Sequence, residues 1–167
     1  MIRDKGLLGA GLGLSLLIIL VDQLSKRWFV ATFDLYEQFV VIPDYFSFTL
    51  AYNTGAAFSF LSSAGGWQRW FFIAIAVAVS AMLVVWMARL ERSQTLQLTA
   101  FALILGGAVG NVLDRAVLGH VVDFILVHYQ ASWFFPAFNI ADIAISIGAG
   151  LMILDLILHP ESKNQAV

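Results

Sequence analysis

Residues 70–88 and 93–113 run for 19 and 21 positions without an Asp, Glu, Lys, Arg or His. A helix of about 20 apolar residues spans a hydrocarbon core roughly 30 Å thick, so each run is long enough to cross a bilayer. Two weaker runs accompany them: residues 6–21, continuing into the polar segment Asp22–Arg27, and residues 143–154, flanked by Asp142 and Asp155. The charged fraction supports the same class. At 12% it is about half that of an ordinary soluble domain. The sequence therefore predicts a mainly α integral membrane protein, with helices over about 6–29, 68–88, 95–114 and 140–158. Four spans consume most of the chain, so residues 1–167 are expected to form one membrane-embedded domain. Arg3 and Lys5 before the first run fit a charged signal-peptide start. The run then meets Asp22 and Lys26 with no small-x-small cleavage site, which favours a retained helix.

The connections differ in character. Residues 89–94 form a short polar link, whereas about 32–66 is long and carries Phe39-Val40-Val41-Ile42 and Tyr45-Phe46-Ser47-Phe48-Thr49-Leu50 around Pro43-Asp44. These β-branched and aromatic runs predict a small β-rich segment of two or three strands between helices one and two. Gly65-Gly66 marks a turn before Trp67 and Trp70, which suit an interfacial position. Alternating four helices places both termini beside the 89–94 link, with Arg3, Lys5, Arg89, Arg92 and Lys163 there. Lys26, Arg27, Arg69 and Arg115 fall at the other face. Five cations against four lean toward cytoplasmic termini.

The same alternation gathers the polar residues. Asp22 and Lys26 near the end of helix one, Asn111, Asp114 and Arg115 near the end of helix three, Asp123 in the following link and Asp142 at the start of helix four all reach the face holding the β-rich segment. A carboxylate costs about 2.5–3.5 kcal/mol at a membrane helix centre, which makes Asp123 and Asp142 functional candidates. Two carboxylates about 4 Å apart repel by about 4 kcal/mol at an effective dielectric of 20. One is thereby lifted toward neutrality, and the pair supplies one acid and one base, as carboxylate-driven hydrolysis requires. The alternative is two unrelated interfacial aspartates.

Each neighbour also has two readings. Asn139 either caps helix four or orients Asp142, three residues on; the two are compatible. Gly106 and Gly110 have the GxxxG spacing of close helix packing, while Asn111 and Arg115, four apart, share a face able to grip a peptide. Asp114 either pairs with Arg115 or supports the site. Asp22 and Lys26 have the spacing of a helix-end ion pair. Asn53-Thr54-Gly55-Ala56-Ala57-Phe58 is either a plain turn or one lying over a substrate. There is no cysteine, and no HExxH, GxSxG or GxxxxGK[ST] motif. His120, His128 and His159 have no recognised metal spacing, and no basic block suggests nucleic acid. A proton-coupled transporter would lead one to expect inverted repeats or broken helices, and neither is visible.

Five ordered blocks, VDQLSK at 21–26, YNTGAAFS at 52–59, GGAVGNVLDR at 106–115, VVDF at 121–124 and FNIAD at 138–142, resemble the bacterial lipoprotein signal peptidase (signal peptidase II) family. The resemblance runs through nearly the whole chain. It implies an aspartyl endopeptidase of the bacterial inner membrane, its active site at the periplasmic face and its β-rich segment extracytoplasmic. The substrate implied is a prolipoprotein carrying diacylglyceryl-cysteine, cut just before that cysteine beside membrane lipid. Asp123 and Asp142 become the catalytic dyad. Asn53, Gly55, Asn111, Arg115 and Asn139 become substrate-binding or dyad-supporting residues, and Asp22, Lys26 and Asp114 structural or supporting ones. The resemblance also implies globomycin as an inhibitor and no metal or organic cofactor; a monomer is the default expectation.

Overall fold

The computed structural model describes residues 4–55 and 66–159. In chain order the elements are α1 (Lys5–Thr32), β1 (Gln38–Ile42), β2 (Phe46–Asn53), α2 (Trp67–Met87), α3 (Thr95–Val117), β3 (Val121–Tyr129), β4 (Trp133–Phe134) and α4 (Ile140–Leu158). All four helices are long and apolar enough to cross a bilayer. Local chemistry fixes two of their starts. The Asp4 carboxylate accepts the Gly6 and Leu7 N–H groups at the head of α1. Asn139 and Asp142 form a capping box at the head of α4, which satisfies donors that the first helical turn otherwise leaves open.

α3 is the central helix. Half of its apolar window is buried, against 17, 11 and 22% for α1, α2 and α4, and it packs on all three. Small residues make this possible. A Cβ added at Gly110 would lie 2.6 Å from Asp22 Oδ2 on α1, and one at Gly107 would strike the Ala141 carbonyl oxygen on α4. The packing reading of the glycine-rich block therefore holds, with successive faces serving different neighbours. Leu83, Met87, Leu90, Leu98, Phe101 and Leu105 form an apolar core toward the 89–94 link. Leu16, Leu17 and Leu24 of α1 stay exposed, as does Ile153 of α4, the arrangement of a bundle solvated by lipid. Trp67 and Trp70 are exposed at the start of α2, with the Arg69 guanidinium 5.0 Å from the Trp70 ring centroid.

The two expected strands are present, but the sheet is larger. It has four antiparallel strands in the order β1-β2-β3-β4, the last two contributed by the link between α3 and α4. Val121 to Phe124 are buried on both faces, so β3 lacks the alternation that marks a half-exposed strand. Asp123 thus sits on a strand. Opposite it, β2 bulges between Phe48 and Ala51, a device that re-aims side chains near functional sites. α1 continues to Thr32, so Asp22 and Lys26 lie inside the helix, more than a turn before its end. Of the expected features, Arg3, Gly65, Lys163 and residues 56–58 of the turn lie outside the described residues.

Candidate active site

β3 is stitched directly to the entrance of α4. The Phe138 carbonyl accepts the Phe124 and Ile125 N–H groups at 3.0 and 2.9 Å, and Phe138 N–H donates to the Ile125 carbonyl at 3.0 Å. Residue 138 immediately precedes the α4 cap, so this short pairing carries Asp123 to the first turn of α4, where Asp142 stands. Asn139 joins them. Its Nδ2 donates to Asp123 Oδ1 at 2.7 Å, its Oδ1 accepts the Asp142 N–H at 3.0 Å, and its backbone N–H donates to Asp142 Oδ2 at 3.3 Å. Capping and orientation are thus performed by opposite ends of one fully buried amide.

Asn111 meets the pair from α3. Its Nδ2 donates to Asp142 Oδ1 at 2.8 Å, and its Oδ1 accepts Lys26 Nζ at 2.9 Å. Lys26 also pairs with Asp22 Oδ2 at 2.8 Å and Asp114 Oδ2 at 2.9 Å, with all three side chains buried. The expected Asp22–Lys26 pair is therefore present as part of a larger cluster. Asp114 joins it in place of pairing with its chain neighbour Arg115. The cluster also grips backbone: Asp22 Oδ1 accepts the Ala141 N–H at 2.9 Å, and Asp114 Oδ2 accepts the Val122 N–H at 3.1 Å. Each held residue is the one immediately before Asp142 or Asp123.

A cavity of about 590 Å³ opens beside this network, lined by Asn53, Asn111, Arg115 and Asp142, with Val121 behind them. Phe135–Phe138 and Ile143, Ser146 and Ile147 of α4 supply an apolar wall. Arg115 Nη2 donates to the Gly55 carbonyl at 3.0 Å, while Asn53 Oδ1 accepts the Gly55 N–H at 3.0 Å. These bonds tie the end of β2 over the α3 side of the site. Asp123 is 2% exposed. Burial first, and then the charge of Asp142, push its carboxyl up to about 7, against the hydrogen bonds of Asn139 and Asn53. A group near that value is poised for proton transfer at neutral pH. Among the described residues no group of three His, Cys, Asp or Glu is disposed to hold a metal.

The structure thus brings together all ten residues singled out in the sequence. It adds Gln23, whose Nε2 donates to Asp114 Oδ1 at 2.9 Å and to Asp22 Oδ2 and the Gly110 carbonyl at 3.2 Å. A polar side chain inside an apolar span was the available signal. The apolar wall from residues 135–138 had none, because one more Phe-Pro-Ala-Phe run in so hydrophobic a chain does not stand out.

Comparisons with known proteins identify the family of the chain. The family model described as signal peptidase (SPase) II matches residues 14–158. A lipoprotein signal peptidase of Ectopseudomonas mendocina is 59% identical over 153 residues, covering 92% of this chain and 90% of the relative. One from Pseudomonas syringae pv. tomato is 62% identical over 147 residues, covering 88 and 85%. A Pseudomonas aeruginosa relative with the same description is 57% identical over 155 residues, covering 93 and 92%. Among solved structures, one described as a bacterial membrane enzyme superposes with a TM-score of 0.82 at 30% identity, covering 95% of this chain and 94% of the other.

Proposed function

The chain belongs to the signal peptidase II family of membrane aspartic peptidases, which cleave signal peptides from prolipoproteins, and from that premise we propose that Asp123 and Asp142 are its catalytic acid and base. The observation that carries the assignment is Asn139, which holds Asp123 through Nδ2 and Asp142 through its backbone N–H. Two carboxylates held by one buried cap residue support the reading of Asp123 and Asp142 as a coupled pair.

Asp123, buried on β3 and pushed up to about 7, holds the shared proton. Asp142 lines the cavity, accepts two N–H donors and stands in the first turn of α4, a setting that suits an anion. Water gives its proton to Asp142 as its oxygen attacks the scissile carbonyl carbon. Asp123 gives its proton to the carbonyl oxygen, and a gem-diol forms. In the second step the C–N bond breaks and the leaving nitrogen takes the proton from Asp142. A gem-diol hydroxyl returns its proton to Asp123. The products are a signal peptide ending in a carboxyl group and a lipoprotein with a free amine, and both aspartates regain their starting states.

Arg115 and Asn53 bound the cavity on the side where an extended substrate backbone would lie, with Gly55 bonded to both, and Asn111 supports Asp142. The apolar wall of residues 135–138 and α4 suits a diacylglyceryl-modified cysteine, with cleavage just before it. The site then faces the periplasm of the bacterial inner membrane and the termini the cytoplasm, in a single membrane-embedded domain working as a monomer. Globomycin is the expected inhibitor of this site. Purified protein should cut a diacylglyceryl-modified prolipoprotein immediately before the modified cysteine, read by intact mass, and spare the unmodified precursor. Equal cutting of both precursors would overturn the lipid requirement. Substrate-dependent proton flux in proteoliposomes without any cleavage would point instead to a transporter.

A further inference from the structure

We propose that Lys26 is a positioning residue for the dyad, fixing the Asn111 amide so that Nδ2 faces Asp142. The inference rests on the dyad reading above and goes beyond it, since Lys26 bonds to neither Asp123 nor Asp142. An ammonium has three N–H donors and no lone pair. Here its three oxygen partners are Asp22 Oδ2 at 2.8 Å, Asp114 Oδ2 at 2.9 Å and Asn111 Oδ1 at 2.9 Å. Only the carbonyl end of an amide can occupy the third position.

With Asn111 Oδ1 committed to Lys26 at 2.9 Å and, at the longer distance of 3.3 Å, to Asn139 Nδ2, Asn111 Nδ2 lies on the other side of the amide and donates to Asp142 Oδ1 at 2.8 Å. Turning the amide over would set N–H groups against an ammonium and carbonyl lone pairs against a carboxylate. Two attractive contacts would become two repulsive ones inside a buried site, where such contacts are strongest. The ammonium itself has little freedom. Both of its carboxylate partners are anchored, Asp22 to the Ala141 N–H and Asp114 to the Val122 N–H, and Gln23 Nε2 bridges the two. Lys26 thus reaches Asp142 through an oriented dipole.

A lysine that only neutralised Asp22 and Asp114 would affect folding without coupling to Asn111, and a double-mutant cycle separates the two roles. Purified Lys26→Met, Asn111→Ala and the double variant are compared with the parent on a diacylated prolipoprotein. Each single change is expected to lower kcat about 10- to 100-fold, the range of one charge-assisted hydrogen bond. KM should stay within about threefold, and the double variant should be no slower than Asn111→Ala alone. Multiplying losses, or parental kcat in folded Lys26→Met, would overturn the proposal. Should Lys26→Met not accumulate folded, Asn111→Asp decides. That change keeps an acceptor for Lys26 and removes the donor to Asp142, so folded protein with the same kcat loss is expected, and parental kcat overturns the proposal. Asp142→Asn in the same assay separates the two levels. Normal turnover by it defeats the dyad itself, whereas an inactive Asp142→Asn beside multiplying losses defeats only the role of Lys26.

Discussion

At the scale of single residues, Asp123 sets stability against function. Between pH 3.8 and about 7 the folded chain keeps a proton that the unfolded chain has lost. Stability therefore falls as pH rises through that window, by on the order of 4 kcal/mol. Asp123→Asn cannot ionise and escapes this loss. It should unfold at a higher temperature than the parent at pH 8, with the gap closing near pH 4. Equal or lower thermal stability at pH 8 would contradict the burial argument. The same proton should give the activity an alkaline limb, with kcat/KM falling above about pH 7, and a flat kcat/KM profile to pH 9 in folded protein would exclude Asp123 as the acid. The sequence shows that Asp123 and Asp142 are expensive where they stand, and that Asn139 suits a cap. It does not show that the other end of that amide reaches Asp123, because the contact depends on a strand pairing 16 residues away in the chain.

At the scale of elements, close approach of α3 to its neighbours holds the site together. A Cβ at Gly110 would press on Asp22, whose carboxylate is fixed by Lys26 and the Ala141 N–H and has little room to yield. Gly110→Ala should cost about 1–3 kcal/mol by overpacking, seen as a lower unfolding temperature in detergent. Gly13→Ala on α1 meets nothing within 4 Å and should be neutral, or stabilising by up to about 1 kcal/mol from helix propensity. Equal losses at both positions would show that the close approach is not what matters. α2 and α3 were legible from uncharged length alone, whereas α1 and α4 carry charges within their spans and were legible from shorter apolar runs; α4 begins where its cap residue predicts. β3 was not legible as a strand: Val121 to Phe124 are buried on both faces, and an unbroken apolar run has no period to read. β1 and β2, flanked by Pro43-Asp44 and rich in aromatic residues, were.

At the scale of the whole molecule, topology does most of the work that chemistry then uses. Four alternating spans bring the ends of α1 and α3 and the start of α4 to one end of the bundle, and the sheet closes over them. Counting spans reveals that shared end without coordinates, which is why Asp22, Lys26, Asn111, Asp114, Asp123 and Asp142 could be grouped from sequence. The pairing of Lys26 with both Asp22 and Asp114, and its hold on Asn111, required three dimensions. A buried cluster that docks the residues preceding both aspartates also accounts for how so small a bundle keeps two carboxylates together in an apolar setting. The central claim is that this pair performs the cleavage. Its most direct test is turnover of a diacylglyceryl-modified prolipoprotein by purified, folded Asp123→Asn and Asp142→Asn beside the parent. Loss of at least about 1,000-fold in kcat by each variant is predicted, the scale on which a member of a catalytic unit is felt; turnover within about tenfold of the parent by either one would contradict the account.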